Sequence, residues 1–144
     1  MPYATIIAAV DVNSPDLARA AIAAAAQAAG TQAVVHILYV RYYLPTRYSD
    51  LLASDFDERE EEDALSDMQT WANEAGLEPA RTKIFTRRGR VRDEVLIEAE
   101  QRKADLIVLA SHQPSLTSRL LGSNASAIVH MAPVSVLVVR VDGK

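Results

Sequence analysis

The sequence predicts an α/β fold: a doubly wound parallel sheet of five strands, in the order 3-2-1-4-5, with helices on both faces. Two observations predict it. Short runs rich in Val and Ile alternate with amphipathic stretches along the chain, which is typical of parallel sheets. The third such run is half-polar and suits a sheet edge, whereas the first strand of this fold class is normally central.

Five segments have the residue pattern of strands. Four are apolar runs, which is typical of strands buried on both faces. Residues 81–86 instead alternate Thr and Ile with Lys and Phe, so this strand is expected at an edge. The expected strands, in chain order, are residues 3–10, 33–40, 81–86, 105–109 and 134–141.

The first predicted helix has the clearest boundaries. Ser14 is expected at its N-cap, with Pro15 in the first helical position and Asp16 in the first turn. The helix is expected to end near Gly30. Its many alanines would let it lie close to the sheet.

Three further helices are expected along the rest of the chain. The second begins in the acidic run 55–63 and ends at Gly76, the third begins at Gly89, and the fourth begins within residues 122–126. Residues 41–54 are the least regular stretch and are expected to pass over one end of the sheet.

Length and composition exclude several classes of protein. The 144 residues fit one domain, expected to span 1–144, and the net charge of −4 argues against nucleic acid as a partner. The absence of cysteine excludes disulfides, thiolate catalysis and Cys-ligated zinc. We see neither a signal peptide nor an apolar run of transmembrane length, so we expect a cytoplasmic protein without membrane insertion.

The segment between the fourth strand and the fourth helix is the main candidate for a binding site. Residues 110–126 are rich in Ser and include Gly122, and small residues let the backbone approach a ligand. A helix N-terminus suits an anion such as phosphate. Ligands of open parallel sheets bind where the strand order reverses, here between strands one and four. Residues 110–126 are therefore a predicted phosphate cradle. The alternative is an ordinary connection in which Ser123 caps the helix.

Asp11 directly follows the first strand, at the other side of the same reversal. Neither a Walker A sequence nor Gly-x-Gly-x-x-Gly is present. A carboxylate would repel a phosphate but accept hydrogen bonds from a ribose hydroxyl or an exocyclic amine. The pattern favours a nucleotide whose sugar lies near strand one and whose phosphates lie on the fourth helix. The alternative is that Asp11 only caps the first helix.

The three histidines do not point to catalysis or to a metal. His36 lies within an apolar strand and is expected to be structural, and His130 lies late in the fourth helix. His112 lies on the predicted cradle, where it could donate to a phosphate, although an exposed loop histidine is an equal alternative. We assign no catalytic residue and no metal ligand.

The sequence resembles the universal stress protein family. The most specific part is Leu-Leu-Gly-Ser-Asn-Ala-Ser at residues 120–126, followed by Ala-Pro-x-x-Val-Leu-Val-Val at residues 132–139. The resemblance covers the chain except for residues 41–63. Its matching segments are residues 6–12, 89–95, 104–112, 120–126 and 132–140.

The resemblance implies a Rossmann-like fold, a dimer and, in one branch of the family, ATP or AMP bound at the reversal point, with Mg²⁺ able to accompany the phosphates. Ala9 and Asp11 match adenosine contacts, and Val40 matches a neighbour of the adenine. The residues that match the phosphate segment are Ala110, Ser111, His112, Gly122, Ser123, Asn124 and Ala125.

Three functions remain open at this point. The ATP-binding branch has the pattern Gly-x2-Gly-x9-Gly-Ser. In this sequence Ala110 and Gln113 stand at the first two glycines, and eight residues (114–121) instead of nine separate Gln113 from Gly122. The first function is an ATP- or AMP-binding regulatory module of the stress response with little turnover. The second is a slow ATPase or autophosphorylating protein. The third is a dimeric interaction protein that binds no nucleotide.

The last strand predicts a homodimer. Residues 134–141 are apolar on both faces, yet the strand order places them at an edge of the sheet. An exposed apolar edge invites pairing, and a two-fold partner would cover it with the same strand.

Overall fold

The computed structural model describes residues 3–41, 54–112 and 121–142. Its strands form one parallel sheet in the order β3-β2-β1-β4-β5, which confirms the predicted topology. The strands are β1 (Tyr3–Val10), β2 (Ala29–Arg41), β3 (Thr82–Arg88), β4 (Leu106–His112) and β5 (Ser135–Val141). The helices of the described part are α1 (Pro15–Ala28), α2 (Ser54–Glu74), α3 (Val91–Gln101) and α4 (Ser123–Met131), with a 3-10 turn at Pro79–Arg81.

The central strand β1 is covered on both faces. Ile6, Ile7 and Ala8 have no solvent exposure. Ile7 lies opposite His36 of β2 on one side and Ile107 of β4 on the other. Burial of each isoleucine side chain contributes roughly 1.5–3 kcal/mol, so β1 anchors both layers of the core.

Successive residues of each strand point to opposite faces and build two hydrophobic clusters. Ile6 and Ala8 belong to the first cluster, which packs against α1 and α2. Ile7 belongs to the second cluster, which packs against α3 and α4. The first helix contributes Ala18, Ala21 and Ala25 to the first cluster without exposure, as expected for an alanine-rich helix lying close to a sheet.

The boundaries of α1 agree with the sequence. Ser14 is the N-cap and Pro15 the first helical residue, as predicted. The helix ends at Ala28, near Gly30 as predicted, but Ala29 already has an extended backbone (φ −71°, ψ 134°) and Gly30 lies inside β2. Helix α1 therefore passes directly into a strand and needs no left-handed residue at its end.

The end of α2 was predicted correctly. Gly76 has a φ of +77°, which glycine adopts without the steric penalty of other residues. Its N–H donates to the carbonyl of Asn73, and the N–H of Leu77 donates to that of Ala72. These bonds satisfy carbonyls that the end of the helix would otherwise leave open.

Strand β4 is longer than the sequence indicated. Ala110, Ser111 and His112 were expected in a loop but continue the strand, because they pair with Val139, Arg140 and Val141 of β5. The rest of the predicted loop, residues 113–120, and the predicted excursion at residues 42–53 lie outside the described residues.

None of the helices in the described ranges is long and apolar enough to cross a membrane.

His36 is a buried histidine on β2 whose Nδ1 has no hydrogen-bond partner among the described residues. Its ring meets Phe85 edge-on, with 6.3 Å between the ring centres. Burial lowers the pKa of His36 below its usual 6.5; the cations of Arg102 and Lys83 lower it further, and the carboxylate of Glu98 opposes them. A proton on His36 is therefore accepted more readily by the unfolded chain than by the folded one.

We predict that the free energy of unfolding decreases as the pH falls below the usual histidine pKa of 6.5, and that His36→Leu removes part of this decrease. Urea unfolding at a series of pH values between neutral and mildly acidic measures both proteins. His130→Gln, which changes an exposed histidine on α4, is the control and should keep the parent's pH dependence. A parent and a His36→Leu variant with parallel curves would contradict the prediction.

Candidate functional site

The carboxyl ends of β1 and β4 form the point at which the strand order reverses. The two strands are neighbours, yet the chain leaves them toward opposite faces. After β1 it enters α1, which packs on the first cluster, and the helix that follows β4 packs on the second cluster through Ile128. Ligands of open α/β sheets bind at such a reversal of strand order, outside the carboxyl ends of the strands.

Asp11 is the first residue beyond β1 and closes a tight turn. Its Oδ1 accepts a hydrogen bond from the backbone N–H of Asn13 at 2.9 Å, and its carbonyl accepts one from the N–H of Ser14 at 3.0 Å. The N-cap Ser14 makes no side-chain cap, and the Asp11 carboxylate bonds within the turn that leads into α1, so the alternative of a helix-entry cap one turn early stays open. Within the described residues, no hydrogen bond reaches Oδ2 of this exposed carboxylate.

A second residue pair supports this turn. The Asn13 side-chain amide donates to the Tyr39 hydroxyl at 3.3 Å. Burial raises the pKa of Tyr39, and the nearby charge of Asp11 raises it further, while the bond from Asn13 acts in the opposite direction. We did not foresee this contact from the sequence. The signal was present, because Asn13 closely follows the first strand and Tyr39 lies near the carboxyl end of the neighbouring one.

Three of the predicted site residues share the face of the sheet that carries α3 and α4. Val40 belongs to the second cluster, and Ala9 and Ala125 pack against it. Val40 is buried, whereas Ala9 and Ala125 are half-buried. The structure thus brings the predicted neighbours of the adenosine onto the same face as the first turn of α4.

The N-terminus of α4 has no side-chain cap. Gly122, not Ser123, is the N-cap residue, and Ser123 is the first residue of the helix, so the alternative in which Ser123 caps the helix is wrong. Gly122 has a φ of −57°, which any residue can adopt. Among the described residues, a Cβ built on it would meet nothing within 4 Å. Gly122, Ser123 and Asn124 are exposed, and the first N–H groups of the helix have no side-chain cap.

Two residues at the end of β4 lie on the opposite face of the sheet from Ala9, Val40 and Ala125. Ala110 packs against the first cluster, on the side of α1. His112 lies on that side as well, with its Nε2 3.3 Å from Oδ2 of Asp16. Its backbone carbonyl accepts a hydrogen bond from Arg140 at 2.9 Å and one from the Ser111 hydroxyl at 3.4 Å.

The contact with His112 contributes to the acidity of Asp16. The backbone N–H of Leu17 is the main cause that lowers the pKa of Asp16, and the hydrogen bond with His112 lowers it further. His112 is thus paired with a carboxylate at the start of α1, a contact that the sequence did not predict.

The basic residues at the end of β3 are already bound to carboxylates. Arg87 donates to Glu94 at 2.7 Å and also to the buried Glu98, and these bonds raise its pKa. Arg88 donates to Asp57, which lowers the pKa of that carboxyl. These two cations hold α3 and α2 against the sheet.

In the described part of the chain, no group of three or more His, Asp or Glu residues is arranged to hold a metal ion.

Comparisons with known proteins agree with this geometry. The Universal stress protein family model matches residues 2–140. Universal stress protein G of Salmonella typhimurium is 38% identical over 141 residues, which are 96% of this chain and 99% of the relative. The universal stress protein UspA from Lactobacillus plantarum has a TM-score of 0.74 at 28% identity, covering 97% of this chain and 99% of its own. A universal stress protein in complex with cAMP has a TM-score of 0.70 at 22% identity, with coverages of 97% and 98%. The chain therefore belongs to the universal stress protein family.

Proposed function

We propose that this universal stress protein is a regulatory module of the stress response that binds an adenine nucleotide, ATP or its products ADP and AMP, with little or no turnover. The observation that carries the proposal is that two polar groups without a partner among the described residues lie at the reversal point. One is the Asp11 carboxylate, whose Oδ2 is unbonded among the described residues, and the other is the uncapped first turn of α4. A family member of the same fold has been solved in complex with cAMP.

The adenosine half of the nucleotide fits the β1 side of the reversal point. The half-buried Ala9, beside the buried Val40, offers apolar surface to a base, and Asp11 offers an acceptor to a ribose hydroxyl. A hydrogen bond to a charged carboxylate contributes about 1.5–3 kcal/mol to such a complex.

The phosphate half fits the first turn of α4. The N–H groups of residues 123–125 and the partial positive charge of the helix N-terminus favour an anion there, and Gly122 leaves room for it. The Ala110 side chain packs toward α1, so alanine in place of glycine adds no bulk on the α4 side. Mg²⁺ would be held mainly through the phosphates themselves.

Low turnover follows from the residues that the chain lacks. Its sequence has no Walker A lysine, and His112, the histidine on the predicted phosphate segment, is paired with Asp16. A location in the cytoplasm, a single domain over 1–144 and the absence of nucleic-acid partners stay predictions from the sequence.

The test of the function begins with the purified protein as it is isolated. Denaturation followed by chromatography should release an adenine nucleotide, and titration calorimetry should show binding of ATP to the stripped protein. Production of ADP over time should stay at the background level. Steady ADP production would favour the slow ATPase, whereas no released nucleotide and no heat of binding would favour the interaction protein.

We predict that Asp11→Ala weakens ATP binding by roughly ten- to hundredfold, because it removes a charged acceptor. Asp11→Asn is the matched control for the turn: it keeps an oxygen for the N–H of Asn13 but replaces the second carboxylate oxygen with an NH2 group. It should therefore keep the parent's stability while its ATP affinity still falls. Calorimetry measures the affinities and thermal melts measure the stabilities. If Asp11 only closes its turn, Asp11→Ala should lose about 1 kcal/mol of stability and both variants should bind ATP like the parent.

We predict that Gly122→Val abolishes ATP binding while the protein stays folded. The negative φ of Gly122 tolerates valine, and the space beside it, free among the described residues, is where the branched side chain would displace the phosphates. The loss of glycine at the N-cap should cost about 1 kcal/mol. Ser123→Ala is the control and should bind more strongly than Gly122→Val, since it leaves the backbone donors in place. Normal ATP binding by Gly122→Val would exclude the cradle.

We further propose a homodimer formed through β5. The strand lies at the edge of the sheet, and Leu137 on it is 40% exposed. Val129 and Met131, at the end of the neighbouring α4, are also exposed. A second copy of β5 would pair with the open edge and cover this apolar surface.

Sedimentation at micromolar concentration should give the mass of a dimer, and Leu137→Glu should shift the equilibrium toward monomers because it places a charge in the proposed interface. Ile97→Glu changes a similarly exposed apolar residue on α3 and should remain dimeric. A monomeric parent protein, or a variant pair that dissociates equally, would contradict the proposed interface.

A further inference from the structure

We propose that Tyr39 is a positioning residue for the nucleotide site: its hydroxyl, through the Asn13 side chain, holds the turn that orients the Asp11 carboxylate. The expected effect on nucleotide binding rests on the proposed function, since Tyr39 would act on the carboxylate that accepts the ribose hydroxyl. The contacts themselves do not depend on any ligand.

Asn13 is bonded at two of its groups. Its backbone N–H donates to Oδ1 of Asp11 at 2.9 Å, and its side-chain amide donates to the Tyr39 hydroxyl at 3.3 Å. The residue that restrains one oxygen of Asp11 is therefore itself tied to β2. With Oδ1 engaged in this way, Oδ2 is the oxygen that remains to accept a ligand hydroxyl.

Tyr39 is suited to act as the anchor of this chain of bonds. It is only 9% exposed and belongs to the hydrophobic cluster between the sheet and helices α1 and α2. It lies opposite Val10 in the parallel register of β1 and β2. Asp11 and Asn13, by contrast, are exposed, so a side chain with a fixed position beneath them limits the motion of the turn.

The phenol is also the right chemical partner for the amide. Burial raises the pKa of Tyr39, so the hydroxyl stays neutral at physiological pH and its lone pair accepts from the Asn13 amide. A residue that supports a ligand-binding group by a hydrogen bond restricts it to the productive orientation. Loss of the hydroxyl should therefore weaken binding without removing any group that touches the nucleotide.

The experiment compares Tyr39→Phe and Asn13→Ala with the parent protein. Each removes one end of the same hydrogen bond and leaves the backbone N–H of Asn13 in place, so each should weaken ATP binding roughly three- to tenfold. The double variant should bind no worse than the weaker single variant. Tyr3→Phe, which removes a tyrosine hydroxyl at the opposite end of the sheet, is the matched control and should bind like the parent.

Two further readouts separate positioning from a general structural role. In an Asp11→Ala background, Tyr39→Phe should cause no additional loss of ATP affinity, because the group it positions is gone. In the nucleotide-free protein, hydrogen exchange followed by NMR should show that the backbone N–H of Asn13 exchanges faster in Tyr39→Phe than in the parent. The exchange of the core strands should be unchanged.

Unchanged exchange of the Asn13 amide in Tyr39→Phe would overturn the proposal whether or not ATP binds. An equal loss of affinity in the parent and Asp11→Ala backgrounds would also overturn it, because the effect would not pass through Asp11. A parent protein that does not bind ATP, with faster Asn13 exchange in Tyr39→Phe, would overturn the proposed function and with it the role of Tyr39 at a nucleotide site.

Discussion

The burial of β1 on both faces is the constraint on which the rest of this structure depends. Ile6, Ile7 and Ala8 have no exposure, and a polar side chain among them would lose its hydration without a partner. The first carboxylate after this strand, Asp11, therefore lies beyond its carboxyl end. The strand order reverses there, so the packing that stabilises the core also places a polar group where open α/β sheets bind their ligands.

Charged side chains also lie at the carboxyl end of the neighbouring strand β2. Arg41 ends β2 and is buried, with the carboxylates of Asp57, Glu60 and Glu61 at 2.8, 3.4 and 3.2 Å. These acidic residues belong to the start of α2, so its charge run compensates a buried cation in addition to facing solvent. Because the nearby arginines are engaged in this way, an anion at the reversal point would depend mainly on the first turn of α4.

The sequence predicted what depends on local pattern and missed what depends on distant pairing. Apolar runs and the signals at Ser14, Pro15 and Gly76 were sufficient for the strand order and for most helix ends. The extension of β4 was missed because only pairing with β5 keeps a serine and a histidine in a strand. The Asn13–Tyr39 bond joins residues 26 positions apart, and only the register of β1 and β2 brings them together.

In the proposed complex, one nucleotide contacts the turn after β1 and the first turn of α4 at the same time. An NMR titration of the nitrogen-15-labelled protein with ATP follows both contacts, because each backbone amide reports separately. The amides of Asn13 and Ser14 and those of residues 123–125 should shift together and fit one dissociation constant. Shifts confined to one of the two segments, or no shifts at millimolar ATP, would contradict the proposed complex.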